Sequence, residues 1–210
     1  MLGCQDDVVP AALPPDELEN RLASVRSAAM ALFAERGYSA TSMSAIAEAA
    51  GLSRPALYQH FANRDEIFRS ALSEILEDAN RAALDALDAV SATGGLADRF
   101  DGYLQRCRGD VIGPLLGSSH GDELLEARGA TAGDVADEAH ARRRRVLDRR
   151  LIDIAAGDRR LARRAAELLE LAPLGLKYDA PSAKAYRTRL TALAHATAAL
   201  IESAGADDAT

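Results

Sequence analysis

The chain has no tryptophan, and its 210 residues hold only four Phe and five Tyr, a scarcity that disfavours a strand-rich fold. Cysteine is nearly missing too. Cys4 and Cys107 are too few and too far apart for a disulfide framework or a closed metal site, and they suit a reducing cytoplasm. Lysine is confined to Lys177 and Lys184, so almost all positive charge is arginine. No segment approaches the roughly 18 apolar residues of a membrane span. The first residues lack both the basic n-region and the apolar stretch of an export signal, so no export is expected.

What remains is rich in alanine, leucine and arginine, 48% hydrophobic, and able to bury a substantial core. The expectation is an all-α protein. A formal charge of −7 excludes a chain that coats nucleic acid indiscriminately but leaves room for a small, local DNA face. Residues 1–16, with Pro10, Pro14, Pro15, Asp6 and Asp7, read as a flexible N-terminal arm. From Pro15 the apolar residues Leu18, Leu22, Val25, Ala29, Leu32 and Phe33 recur at helical spacing, and Gly37 stands where a left-handed C-cap belongs. A short second helix is capped by Thr41 or Ser42 and runs to about Ala50, with Ile46, Ala47 and Ala50 inward. A third, capped by Ser53 or Arg54 with Pro55 in its first turn, runs to about His60. Asn63 caps a long fourth helix that reaches about Val90. Amphipathic segments are then expected at about 96–108, 110–117, 121–128, 133–156, 158–172 and 182–203, with Pro173 to Pro181 forming the last connection and 205–210 a frayed tail.

The stretch TSMSAIAEAAGLSRPALYQHFANRDEIF, residues 41–68, has the logic of a helix-turn-helix. Ala47 lets two helices approach, Gly51 makes the turn, and Leu52 and Leu57 lock the angle, leaving the third helix's outer face for a major groove. Arg54, Ala56 and Gln59, near its N-terminus, are placed to reach base edges. Leu57 and Phe61 already fill the inward stripe, which turns Tyr58 outward and Phe61 into the core.

These residues, with Ala29, Leu32 and Phe33 of helix one, Gly37-Tyr38, Ile46-Ala47, Ala50-Gly51, Leu57-Tyr58, His60-Phe61 and Asn63-Arg64, resemble the tetracycline-repressor (TetR) family over about residues 18–70. The resemblance implies a homodimer with two DNA-binding heads. It also implies phosphate anchoring by Tyr58 and His60, a DNA-backbone contact from Ser42, and a basic residue, Arg64, opening helix four. Ser44, Arg54, Pro55, Ala56 and Gln59 fall at its base-facing positions. Arg64 stands where lysine is commoner, and Asp65 dilutes the positive field beside it.

The domain plan is therefore an arm (1–16), a DNA-binding head (17–64), a helical ligand-binding and dimerisation body (65–204) and a tail (205–210). Phe100, Tyr103, Leu104, Cys107, Leu115, Leu116 and His120 are the candidate ligand lining. The stripes Leu161, Ala165, Leu168 and Tyr186, Leu190, Leu193, Thr197, Leu200 are the candidate dimer surface, two copies giving a four-helix bundle. Arg142 to Arg145 with Arg149 and Arg150 are read as a solvated face, paired at i, i+4 as Glu138 with Arg142, Arg144 with Asp148 and Arg149 with Asp153. His120, Glu123 and His140 lack metal-ligand spacing, and no nucleophile elbow or phosphate loop occurs. No metal, cofactor, catalytic residue or membrane partner is expected. The partners expected are double-stranded operator DNA, a small-molecule ligand and a second copy, with repression relieved by the ligand. The rival reading is a helical ligand-binding protein or enzyme that uses the C-terminal cavity without binding DNA.

Overall fold

The computed structural model describes residues 14–89 and 94–207, so most of the expected arm, Val90, Thr93 and the last three residues lie outside the described residues. Helix α1 (Pro15–Arg36) starts on a proline whose missing N–H costs nothing there, with Asp16 and Glu17 favourable to its dipole. It stops at Gly37, whose φ of +90° and ψ of 154° are open only to glycine, a more extended turn than the left-handed cap expected. Helices α2 (Met43–Ala49) and α3 (Arg54–Tyr58) begin on Ser42 and Ser53, whose hydroxyls accept from the amides of Ala45 and Ala56. Each cap contributes on the order of 1 kcal/mol and closes the choice left open by the sequence. Thr41 is instead buried, its hydroxyl donating to the Gly37 carbonyl at 2.8 Å. Between α2 and α3, Gly51 adopts φ +68° and Leu52 N–H returns to the Ala47 carbonyl at 2.8 Å. Asn63 caps α4 (Arg64–Asp88), while Glu66 reaches back to the amide of Ala62 at 2.6 Å.

The body consists of α5 (Leu96–Leu104), a π turn (Gln105–Gly109), the short α6 (Asp110–Ile112) with a 3₁₀ turn after it, and the long helices α7 (Gly121–Ile154), α8 (Arg159–Leu176) and α9 (Ala183–Asp207). The two segments expected at 121–128 and 133–156 are one helix, α7, kinked at Ala132, whose backbone leaves helical geometry at φ −137°. At that kink Arg69 of α4 takes the carbonyl of Thr131 at 2.6 Å and clasps both carboxylate oxygens of Asp134, so a side chain inserted into the helix ladder accounts for the bend. Helix α8 runs through Pro173 instead of ending before it; the Pro173 carbonyl accepts from Tyr186 of α9 at 3.3 Å.

Two apolar cores lie along this frame. One joins α1, α2, α3, the first half of α4 and the first half of α7; the other joins the ends of α4 and α7 with α5, α8 and α9. Helices α4 and α7 pass through both and tie the head to the body. Where the cores meet, the sequence places polar residues on both helices: Asn80 follows Leu76 on α4, and Arg143 follows Ala139 on α7. Arg143 is 1% exposed, which corrects the reading of Arg142 to Arg145 as a wholly solvated face. Its neighbours do pair outside, Arg142 with Glu138 at 2.9 Å and Arg144 with Asp148 at 2.7 Å.

Candidate nucleic-acid interface

The corner formed by α2 and α3 is held from beneath. Ile46, Leu57, Phe61 and Ile67 are buried, and Phe33, Tyr38 and Phe68 meet with ring centroids 5.1 to 5.6 Å apart. Phe61 is thus a core residue, as its spacing from Leu57 predicts. Tyr58, one residue from Leu57, is 43% exposed. Arg54 lies beside it, its guanidinium carbon 5.5 Å from the Tyr58 ring centroid and Nη2 3.5 Å from the hydroxyl, so the two side chains share one outward face. Ser42, Ser44, Pro55 and Gln59 are also exposed there, whereas Ala56 and His60 are half-buried. Of the candidate DNA residues, Ser42 has its hydroxyl engaged as the α2 cap.

Arg64 has a structural task that its place at the start of α4 did not announce. Its Nη1 donates to the carbonyls of Tyr38, Ser39 and Thr41 at 2.9, 2.9 and 3.2 Å, and its guanidinium stacks 4.5 Å over the Tyr38 ring. It fixes the α1–α2 loop. Burial raises the Tyr38 phenol above its ordinary pKa, and its bond to Asp65 adds to the shift. Other head arginines are also engaged: Arg26 is buried between Glu74 and Glu19, both at 2.5 Å, and Arg69 holds the carboxyl of Asp134 down to about 2. Positive charge on the outer face of α3 therefore comes from Arg54.

The head meets the body at a joint that sequence reasoning missed. Glu123 of α7 accepts from the Ser39 amide at 2.7 Å, and its other oxygen lies 3.6 Å from His120 Nδ1. A Cβ on Gly37 would sit 2.4 Å from that carboxylate and push this flexible end of Glu123 aside, while the φ of +90° is what requires glycine. That donation from the Ser39 amide lowers the Glu123 pKa first, with the charge of His120 helping. Nothing in the spacing of residues 37–39 and 120–123 signals an encounter more than eighty positions apart.

The body's polar layer is a connected network. Tyr103 donates to Glu170; Arg143 reaches Glu170 at 2.7 Å, the Asn80 side-chain carbonyl at 2.8 Å and the Tyr103 hydroxyl at 3.0 Å; Arg108 reaches Glu170 at 3.2 Å. Burial works against the charge on Glu170, but Arg143 and Arg108 hold its carboxyl below the usual range. Next to this layer is an internal cavity lined by Leu76, Cys107, Arg108, Val111, Ile112, Arg128, His140, Pro173, Leu174, Lys177 and Tyr186.

This geometry corrects several expectations. Phe100 and Leu104 are sealed in the body core, and Tyr103 serves the network through Glu170 of α8 and Arg143 of α7. Leu115 packs against the head core and His120 belongs to the joint; of the expected lining, Cys107 reaches the inner cavity and Leu116 an open depression outside it. Burial raises the Cys107 thiol above its ordinary pKa. Leu161, Ala165, Tyr186, Leu190 and Thr197 are buried within their own chain, and Leu168, Leu193 and Leu200 are half-buried, because α8 and α9 pack those stripes on each other and on α5. The large apolar side chains that α8 turns outward are Leu171 and Leu174, 58% and 43% exposed.

A helix-turn-helix head on an all-helical body defines the class of the protein. Residues 25–71 match the profile of the family described as "Bacterial regulatory proteins, tetR family". Over 66 residues the chain is 39% identical to the "HTH-type transcriptional activator FasR" of Mycolicibacterium smegmatis, and over 74 residues 36% identical to the "HTH-type transcriptional repressor ComR" of Escherichia coli. Those matches cover 31% and 34% of this chain and 29% and 35% of the relatives' own lengths. In fold, the chain resembles a transcriptional regulator from Pseudomonas aeruginosa with a TM-score of 0.59 at 19% identity, over 93% of this chain and 97% of that one. Residues 25–71 thus match the tetR-family head, and the chain as a whole has the fold of solved transcriptional regulators.

Proposed function

We propose that the protein is a cytoplasmic, homodimeric transcriptional regulator that binds a palindromic operator and represses until a small ligand enters its body. One observation carries the reading: α3 turns Arg54, Tyr58 and Gln59 outward on a rigidly capped corner while Leu57 anchors it from below. Arg54 and Gln59 read base edges, and Tyr58 with His60 holds phosphate, helped by Ser42 and Ser44; Pro55 and Ala56 shape the same face, and Arg64 adds charge behind it. Two copies meet through the outer faces of α8 and α9, where Leu171 and Leu174 await cover, and symmetry sets the heads about one DNA turn, roughly 34 to 36 Å, apart. The two named relatives act in opposite directions, one an activator and one a repressor.

The ligand acts through α7. Its first half holds the head through Glu123 and Asp134, and its second half carries Arg143 and lines the cavity with His140, so a ligand that prefers one arrangement of α7 shifts the population of head positions. Selection of bound duplexes from a random pool tests the reading. An inverted repeat is expected, with affinity falling steeply as salt rises; ligand binding or turnover without any salt-sensitive duplex affinity would return the protein to the rival class. Tyr58→Ala is expected to weaken operator binding about tenfold, measured by fluorescence anisotropy, with helicity and melting unchanged. Loss of folding in that variant would assign Tyr58 to packing. A reporter placed behind the selected operator reads the sign of regulation.

A further inference from the structure

The meeting plane of the two cores holds more positive charge than the fold neutralises. Arg108, Arg128 and Arg143 gather there, and among the described residues Glu170 is the only carboxylate in an ion pair with any of them. Asp137 acts on Arg128 only as a neighbouring charge. Arg143 has an acceptor for every nitrogen. Arg108 does not: its side chain is 8% exposed and Nη2 is committed to Glu170, yet its buried Nε has no partner, and neither does the buried Nε of Arg128. Both guanidinium groups line the same cavity, and Arg108 is brought inward by the π turn, a helix irregularity that often marks functional positions.

Buried donors without acceptors cost free energy, and unpaired buried charge costs more. Water would satisfy the N–H groups but leave the charge. An oxyanion satisfies both, because charge-assisted bonds to guanidinium are the stronger kind. Room beside the two guanidinium groups is small, about 20 Å³, the size of a single buried water, so a larger head must part the exposed Leu174 from Lys177; apolar Ile112, Pro173, Leu174 and Tyr186 line the other side. Lys177 also borders an open depression lined by Leu116, Tyr178, Asp122 and Glu126.

We infer that this cavity is the receptor site for a small amphipathic organic anion, its oxyanion head bonded to Arg108 and Arg128 and its apolar body directed past Leu174 toward Lys177. The inference rests on the reading of the body as a ligand-binding domain and adds the ligand's chemistry. Arg128 and His140 stand on opposite sides of the α7 kink, so an anion bonded to Arg128 holds the arm that meets the head and lies against the other at His140.

The test uses the full chain and four probes: hexanoate, hexyl phosphate, 1-hexanol and inorganic phosphate, followed by calorimetry and thermal melting. At least one of the two amphipathic acids is expected to bind and raise the melting temperature while 1-hexanol does not, and the stronger acid identifies the head group. Arg128→Gln removes one anchor without touching the Glu170 network. It is expected to weaken the acid about 10- to 100-fold, yet to melt no lower than the wild type when unliganded, since positive crowding is relieved. Equal responses to acid and alcohol, binding of inorganic phosphate alone, no response to either acid, or undiminished binding by Arg128→Gln would each overturn the inference. Operator affinity of the unliganded protein, measured in parallel, separates the two failures: DNA binding without acid binding sinks only the ligand assignment, and acid binding without DNA binding sinks only the operator reading.

Discussion

The head and the body solve opposite problems with the same helices. In the head, the working face is made from one continuous stretch, and its supports are local: Ser42, Ser53 and Asn63 each cap an amide three residues on. In the body, the decisive contacts join distant positions, Tyr103 to Glu170 across 67 residues and Arg143 to Asn80 across 63. Local construction leaves the head's outer side chains free to change without loss of fold. Long-range ionic construction makes the body intolerant, because each buried charge depends on a partner supplied by another helix.

The largest expected effect follows from that difference. Glu170→Gln leaves Arg143 and Arg108 buried without their carboxylate and is expected to cost about 3 to 5 kcal/mol in urea unfolding. A loss comparable to that of an exposed head substitution would mean that the layer is wetter and less cooperative than its burial implies. Next comes the joint between the regions. Gly37→Ala places a side chain at φ +90° and pushes against Glu123, and a cost of about 1 to 3 kcal/mol is expected. Hydrogen exchange should show the Ser39 amide losing protection. Protection that persists in this variant would detach the Glu123 contact from the integrity of the head.

The smallest effect is a pH dependence of the body alone. Burial, then the charges of Arg108, Arg143 and Arg128, push His140 down to about 4, against the opposing pull of Glu170. The unfolded chain therefore takes up a proton that the folded one refuses as pH falls from about 6.5 toward 4, and stability drops over that window. Partial exposure limits the loss to the order of 1 kcal/mol. His140→Asn should flatten this part of the profile relative to the wild type in thermal melts, and an unchanged profile would assign the slope to other groups.

Residues 41 to 68 made the head legible because its information is short-ranged: a glycine turn, hydroxyl caps, and an i, i+4 stripe whose outward neighbour is Tyr58. Even the kink in α7 left a trace, in the gap between the segments expected to either side of residues 129–132. The dimer stripes misled for a definite reason. Helical periodicity identifies an apolar face but not which apolar surface covers it, and in α8 and α9 the faces of Leu161, Tyr186 and Leu190 are covered by their own chain. Arg143 was misread likewise, since four successive arginines must point around the helix and only the neighbours decide which one is inside.

The amino-acid sequence by itself determined the helical class, the corner that turns Tyr58 outward and the caps that hold it, because each of these follows from interactions within a few residues. Tertiary structure alone decided that Arg64 would brace a loop, that Glu123 would meet Ser39, and that two arginines would converge on one glutamate. Such encounters depend on how helices cross in space, and a contact between residues scores of positions apart has no periodicity to betray it.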